Sequence, residues 1–377
     1  MPSYSSSVTK DISISTHFSA LKDPRRTNKG NLRHLLSDII LLTISAILCG
    51  ADDWEQVETF GKNQRKWLNL RGSFANGIPS SDTLGRVFAA LDPKSFNACF
   101  MQWIESIRDC NSGEVVAIDG KSIRGANPKR NGTKMPHIVS AFASSNGLTL
   151  GQVRVNEKSN EITAIPQLLD LLFLDGCTVT IDAMGCQTHI ATKIVELKAD
   201  YILAVKRNQG ALEQVIADTV LLEKPISTYT DEDCGHGRVE RRTCSAYDKL
   251  EHVEDVEEWV GLRSVFKVET EVYEKVSGKT TNECKFYITS LPADAALLNQ
   301  RVRKHWAIEN NLHWTLDVIF GEDRSRKRTG NSAENFSILL KMAISLLAED
   351  TTPKTSKRAK RMKAALDPNY RDKLWGF

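Results

Sequence analysis

An α/β protein is what this sequence predicts: a mixed sheet flanked by helices, with an all-helical region in front and a mostly β insertion before the last long helices. Three observations carry that expectation. Helical periodicity runs from about residue 31 to 104, β-branched apolar runs then alternate with helical stretches from 115 to 205, and helical spacing returns near Leu298. The 377 residues suffice for two or three domains, and 41% hydrophobic with 26% charged residues describes an ordinary soluble globular chain.

Residues 1–25 are rich in Ser and Thr with little periodicity, and read as a flexible arm. In the helical region 26–110, Leu35, Ile39, Leu42, Ala46 and Cys49 recur at helical spacing. The mainly apolar run 39–49 is too short to span a bilayer, so it reads as a buried helix and no membrane association is expected. A second helix is expected over 54–70. A third, over 83–91, follows the cap Pro79-Ser80-Ser81-Asp82, and a fourth, over 95–107, follows the stop Asp92-Pro93. Four short helices around a small core suit a helix-turn-helix DNA-binding module with Arg86 outward, although most small helical domains read no DNA.

The pattern then turns to strand, opening a region 111–350. An apolar run, 115–118, ends in Asp119-Gly120-Lys121-Ser122-Ile123-Arg124-Gly125, and strands 137–143 and 148–155 are joined by the turn Ser144-Ser145-Asn146-Gly147. A helix over 162–173, a strand over 177–181 ending in Asp182, a helix over 189–198 and a strand over 200–205 complete the series. Three strands, a helix, a strand, a helix and a strand is the order of a ribonuclease H-like core. Residues 206–291 leave that order: 238–247, 264–273 and 285–290 read as strands of a β-rich insertion carrying Arg238, Arg241 and Arg242. A helical segment, 334–347, leads into a basic C-terminal tail, 351–377, where 354–363 holds six cations in ten residues and reads as solvated.

Asp119 and Asp182 each follow an apolar run, which places them at the carboxyl ends of strands, where open α/β sheets carry their ligand sites. On a helical wheel at about 100° per residue, Glu309 falls amid Leu298, Val302, Leu312, Leu316 and Phe320, aimed inward. A buried carboxylate needs a cation, a metal or many donors, and an ion pair with Arg301 or Arg303 is the plain alternative. Taken singly, either aspartate also suits a turn cap. Three converging carboxylates instead form a hard-oxygen site for Mg²⁺ or Mn²⁺, and two such ions suit phosphoryl transfer on nucleic acid. Lys121, Arg124, Lys206, Arg207, Arg238, Arg324, Arg326, Lys327 and Arg328 fit as contacts to DNA phosphates. His305 and His313, four residues either side of Glu309, suit either a scissile phosphate or hydrogen bonds that hold the carboxylates. Trp306 and Trp314 are expected mainly in the core, with stacking on a base as the other reading.

The segments AIDGKSIRGA, TIDAMGCQ, YILAVKRNQ, GRVERR, YITSL and RKHWAIENNLHWTLDVIFGEDRSRKR resemble the H-repeat-associated branch of bacterial insertion-sequence transposases, and the N-terminal helical region resembles that family's associated domain. The likeness spans nearly the whole chain. It implies a catalytic and metal-binding triad of Asp119, Asp182 and Glu309, a ribonuclease H-like fold and a divalent metal. The wider class often has Tyr, Arg and Lys seven before, four before and seven after the glutamate, where this sequence has Val302, His305 and Leu316.

The function so implied is an insertion-sequence transposase that binds double-stranded DNA, both element ends and target, as a homodimer and catalyses metal-dependent cleavage and strand transfer. A transposase-derived DNA-binding protein without catalysis and a metal-dependent nuclease are the alternatives. Eight scattered cysteines with no C-x-x-C pair suit reduced thiols, and the expected location is the cytoplasm, on the nucleoid.

Overall fold

The computed structural model describes residues 13–26, 32–109, 112–127, 135–156, 159–235, 237–251, 256–352 and 354–377. Its N-terminal part is helical: α1 (Ile14–His17), α2 (Leu36–Leu48), α3 (Trp54–Asn63), α4 (Arg65–Asn69), α5 (Ser81–Ala90) and α6 (Pro93–Ile107). The expected caps form. Asp53, Ser80 and Asp92 accept from the backbone N–H of Gln56, Thr83 and Ser95 and so satisfy donors that a helix start leaves open. The expected 54–70 helix breaks at Gln64 into α3 and α4. As expected of its run of Leu and Ile, α2 is buried nearly all round.

The flexible-arm expectation fails where it can be judged. Residues 1–12 lie outside the described residues, but Ile14, Phe18 and Leu21 are buried, with Phe18 edge-on to Phe96 at 5.7 Å between ring centroids. Their spacing is that of one helical face, masked in the sequence by the surrounding Ser and Thr.

The strands β1 (Val115–Ser122), β2 (His137–Ala143) and β3 (Leu148–Arg154) form an antiparallel meander. They lead through α7 (Glu161–Leu169), β4 (Thr178–Ile181), α8 (Thr188–Glu196) and β5 (Asp200–Val205). β1, β4 and β5 run parallel, and the first four residues of β1 and all of β4 are buried, as their unbroken apolar or Thr/Val/Ile runs require of strands covered by helices.

The insertion does continue the core sheet. After α9 (Gly210–Leu222), β6 (Ser227–Gly235), β7 (Arg238–Tyr247), β8 (Ser264–Glu274) and β9 (Thr280–Thr289) extend it antiparallel from β5. The result is one nine-stranded mixed sheet in the order β3-β2-β1-β4-β5-β9-β8-β7-β6. β6 and α9 were not expected. β6 reads Ser-Thr-Tyr-Thr-Asp-Glu-Asp-Cys-Gly, too polar to look like a strand, because as the edge of the sheet it has little to bury. The apolar face of α10 (Ala295–His305) covers this extension: Leu298 and Val302 pack with Cys244, Phe266 and Tyr287.

The chain closes with α11 (Ser332–Glu349), buried along most of its length, α12 (Lys357–Leu366) and α13 (Pro368–Trp375). The last two overturn the solvated-tail expectation. Lys360, Arg361 and Arg371 are buried, and they donate to backbone carbonyls: Lys360 to Leu347, Arg361 to Ile47 and Ile319, and Arg371 to Ala364. Ile47 and Leu347 lie in the last turns of α2 and α11, where carbonyls lack intrahelical partners and the helix dipole favours cations. One contiguous apolar core therefore joins Ile14, α2, the sheet, α11 and Trp375. Among the described residues, no helix is long and apolar enough to cross a membrane.

Candidate active site

The register of the parallel pair β1 and β4 ends at Ile118 opposite Ile181, so the next residues, Asp119 and Asp182, stand side by side where the two strands emerge from their helical cover. Asp119 accepts from the N–H of Gly120 at 2.8 Å, and Asp182 caps a short 3-10 turn by accepting from Met184 N–H at 3.1 Å. Glu309 comes from a different element, and the wheel expectation for it fails. From Ile308 to His313 and again from Thr315 to Ile319 the helix is of π type. Its wider turns give Ile308 the inward direction and rotate Glu309 to an exposed position. That position is still functional in geometry: Asp119, Asp182 and Glu309 line one cleft of about 150 Å³, together with Lys206, Lys285, His305 and Trp306.

The electrostatics of the cleft follow from burial and crowding. Burial, together with the carboxylates of Asp182, Glu161 and Glu309 and against the Gly120 N–H, pushes Asp119 up to about 7. Asp182 is also raised, by burial and then by Glu161, while backbone N–H groups and Lys206 oppose the shift. Glu161, at the start of α7, went unnoticed in the sequence because a glutamate in a first helical turn is what the helix dipole alone would favour.

His313 Nδ1 lies 3.5 Å from Asp119 Oδ2, and His305 Nδ1 is hydrogen-bonded to the Thr180 hydroxyl at 2.9 Å, two residues before Asp182. Burial lowers both imidazoles, His305 to about 4 and His313 to about 3, so both are neutral near pH 7. Trp306 and Trp314 are not core residues. They are 39% and 53% exposed, and Lys285 sits 4.8 Å above the Trp306 ring.

The cations divide into two groups. Arg124, Lys206, Arg207, Arg238, Arg324, Arg326 and Arg328 are exposed, with Arg328 donating to the Gly125 carbonyl. Lys121 and Lys327 are engaged inside the fold, which removes them from the phosphate-contact set. Lys121, only 12% exposed, pairs with Asp317 at 2.8 Å, Glu322 at 3.0 Å and Asp323 at 3.2 Å. Lys327 donates to the Asp52 carbonyl and packs on the Trp54 and Phe336 rings, and burial lowers it to about 8. Neutralising Arg324, Arg326 and Arg328 together should weaken DNA binding and flatten its salt dependence by up to about 0.9 per lost phosphate contact. Lys121→Met should instead leave the salt slope alone and cost roughly 3–5 kcal/mol of stability, because it strands the buried Glu322. Filter binding across a salt series and denaturant melts separate the two outcomes.

The acids line the cleft walls, and among the described residues no three His, Cys, Asp or Glu side chains are already gathered into a group able to hold a metal ion. Mutual repulsion, visible in the raised Asp119, opposes closer approach. The donor chemistry nevertheless fits a hard divalent cation: all oxygen, negatively charged, and destabilised by its own charge. A family model described as a transposase DDE domain matches residues 111–346, and one described as DDE_Tnp_1-associated matches residues 15–104. The chain belongs to the DDE transposase family. "Putative transposase YncI" of Escherichia coli O157:H7 is 41% identical over 95% of this chain and 93% of its own. "H repeat-associated putative transposase YhhI" of Escherichia coli strain K12 is 39% identical over 94% and 95%. Among solved structures, a piggyBac transposase synaptic complex with hairpin DNA aligns with 98% of this transposase-family chain and 77% of its own, at 10% identity and a TM-score of 0.43. The H-repeat-associated resemblance read from the motifs is thereby borne out.

Proposed function

We propose that this chain is an insertion-sequence transposase with a ribonuclease H-like core, which cleaves DNA at its element's ends and joins the freed 3′-hydroxyls to a target. The observation that carries the reading is the meeting of Asp119, Asp182 and Glu309, from three distant places in the sequence, on one cleft that also holds Lys206 and Lys285. These three acids would hold the divalent cation, Mg²⁺ or Mn²⁺ and in this reading two ions. When bound, such ions activate the attacking water or 3′-hydroxyl and stabilise the leaving oxygen.

The chain's own residues supply the rest. Neutral His313, against Asp119, holds that carboxylate without competing for the cation's charge, and His305 fixes Thr180 on the strand that delivers Asp182. Lys206 and Lys285 face the cleft and would steady the scissile phosphate. The exposed Arg124, Arg207, Arg238, Arg324, Arg326 and Arg328 would track the duplex without reading its sequence. A homodimer would bring two element ends together.

With Mg²⁺ and DNA carrying the element's terminal repeats, the purified chain is expected to nick the ends and, given a plasmid target, to yield joined products on a gel. Glu309→Gln should lower both by about 10³-fold or more while DNA affinity holds. Nicking without joining would leave a nuclease, and full activity in Glu309→Gln would refute the triad.

A further inference from the structure

A fourth acid faces the same site from an element outside the triad. Glu161 opens α7, and its carboxylate lies against Gly120, where a Cβ would collide with it. Glycine immediately after Asp119 is thus what lets this carboxylate approach the strand that carries the first aspartate. The approach is also held from the side. His137, the cross-strand partner of Ser122, places Nε2 at 2.5 Å from Glu161 Oε1, while its Nδ1 meets the Ser122 hydroxyl at 2.8 Å. With the hydroxyl donating to Nδ1, the Nε2–H is left to donate to the carboxylate, so one oxygen of Glu161 is fixed and the other stays free. A plain ion pair would sit anywhere on the surface. This one is only 13% exposed on the glutamate side and close enough to Asp119 and Asp182 to oppose the ionisation of both.

We propose that Glu161 is a fourth carboxylate of the divalent-cation centre, positioned by His137 and admitted by the missing side chain at Gly120. The inference rests on the cation-centre reading given above and adds to it a residue from the helix that follows the meander. Its chemistry needs no new co-reactant: a carboxylate from α7 adds an oxygen donor to an all-oxygen set, which suits Mg²⁺ and Mn²⁺. His137 acts through Glu161, in the way an outer hydrogen bond orients a ligand.

The test is Mn²⁺ affinity of the purified full chain, read from free Mn²⁺ by electron paramagnetic resonance, with DNA cleavage measured in parallel. Glu161→Gln, whose amide oxygen still accepts from His137, should bind Mn²⁺ at least tenfold more weakly with its metal-free melting temperature little changed. Gly120→Ala, which displaces the carboxylate without removing it, should move affinity the same way. His137→Ala should weaken binding by a smaller factor, and His137→Gln, which keeps a donor, should recover part of it. Asp119→Asn is the reference. Unchanged Mn²⁺ affinity in Glu161→Gln beside a clear loss in Asp119→Asn overturns the proposal and leaves the triad reading standing. No loss in either variant overturns both.

Discussion

Asp119→Asn is expected to abolish DNA cleavage and, at the same time, to make the metal-free protein more stable above neutral pH. In the folded chain Asp119 is pushed from the ordinary 3.8 to about 7, first by burial and then by Asp182, Glu161 and Glu309. A folded-state pKa above the unfolded one means that the native protein binds this proton more tightly. The stabilising contribution is complete below pH 3.8 and is lost as the pH rises through 7. The gap corresponds to roughly 3–4 kcal/mol at most, and the 19% of the side chain still exposed to water reduces it. Asparagine keeps an oxygen for the Gly120 N–H and carries no charge, so the variant should match the parent near pH 4 and melt higher near pH 8. His305 and His313 contribute the opposite slope, because their depressed values cost stability as the pH falls below 6.5. They are common to both proteins and cancel in the difference. Adding Mg²⁺ should raise the melting point of the parent by mass action and leave the variant unmoved. Parallel melting curves for the two proteins at every pH would remove the charge-crowded site on which the reading depends.

That site was partly legible in the sequence. Asp119 and Asp182 could be placed because a β-branched run followed by an acid fixes a strand end, and the register of parallel strands does the rest. Glu309 was picked out through a wheel that the helix does not obey. The π turns between Ile308 and Ile319 have no sequence signature of their own, since they are imposed by what packs on either side of the helix. Composition misled in two further places. Ser and Thr around Ile14, Phe18 and Leu21 hid an apolar face, and the cations of 354–363 looked solvated because their acceptors are carbonyls contributed by Ile47, Ile319 and Leu347, distant in the chain. Lys121 carried the same ambiguity. A lysine beside an acid suits a phosphate or an ion pair, and only the fold brings Asp317, Glu322 and Asp323 to it. The strand order of the core followed from local patterns, whereas the attachment of β6 to β9 onto β5 depends on a pairing across some eighty residues that no local pattern encodes.

Arg361→Ala is expected to be the most disruptive change outside the cleft, and its effect should reach Glu309. The guanidinium lies 4.2 Å from the centre of the Phe320 ring and donates to the carbonyls of Ile47, at the end of α2, and of Ile319, at the end of the π stretch that carries the glutamate. Removing it leaves two buried carbonyls without their donor and loses the packing of the long side chain, a cost of about 3–5 kcal/mol. A π helix is the less favoured form, so it persists only where neighbours hold it. Freed at its end, the 308–319 stretch should relax toward an α-helix, in which the wheel turns Glu309 toward the interior and away from the two aspartates. Cleavage by the folded variant, measured well below its melting midpoint, should therefore fall by at least tenfold while DNA affinity is kept. Arg361→Lys, which keeps the charge but reaches fewer acceptors, should fall between the two. If the folded alanine variant cleaves as fast as the parent, then Arg361 stabilises the protein without setting the direction of Glu309, and the π geometry must be held by the packing of Leu312 and Leu316 alone.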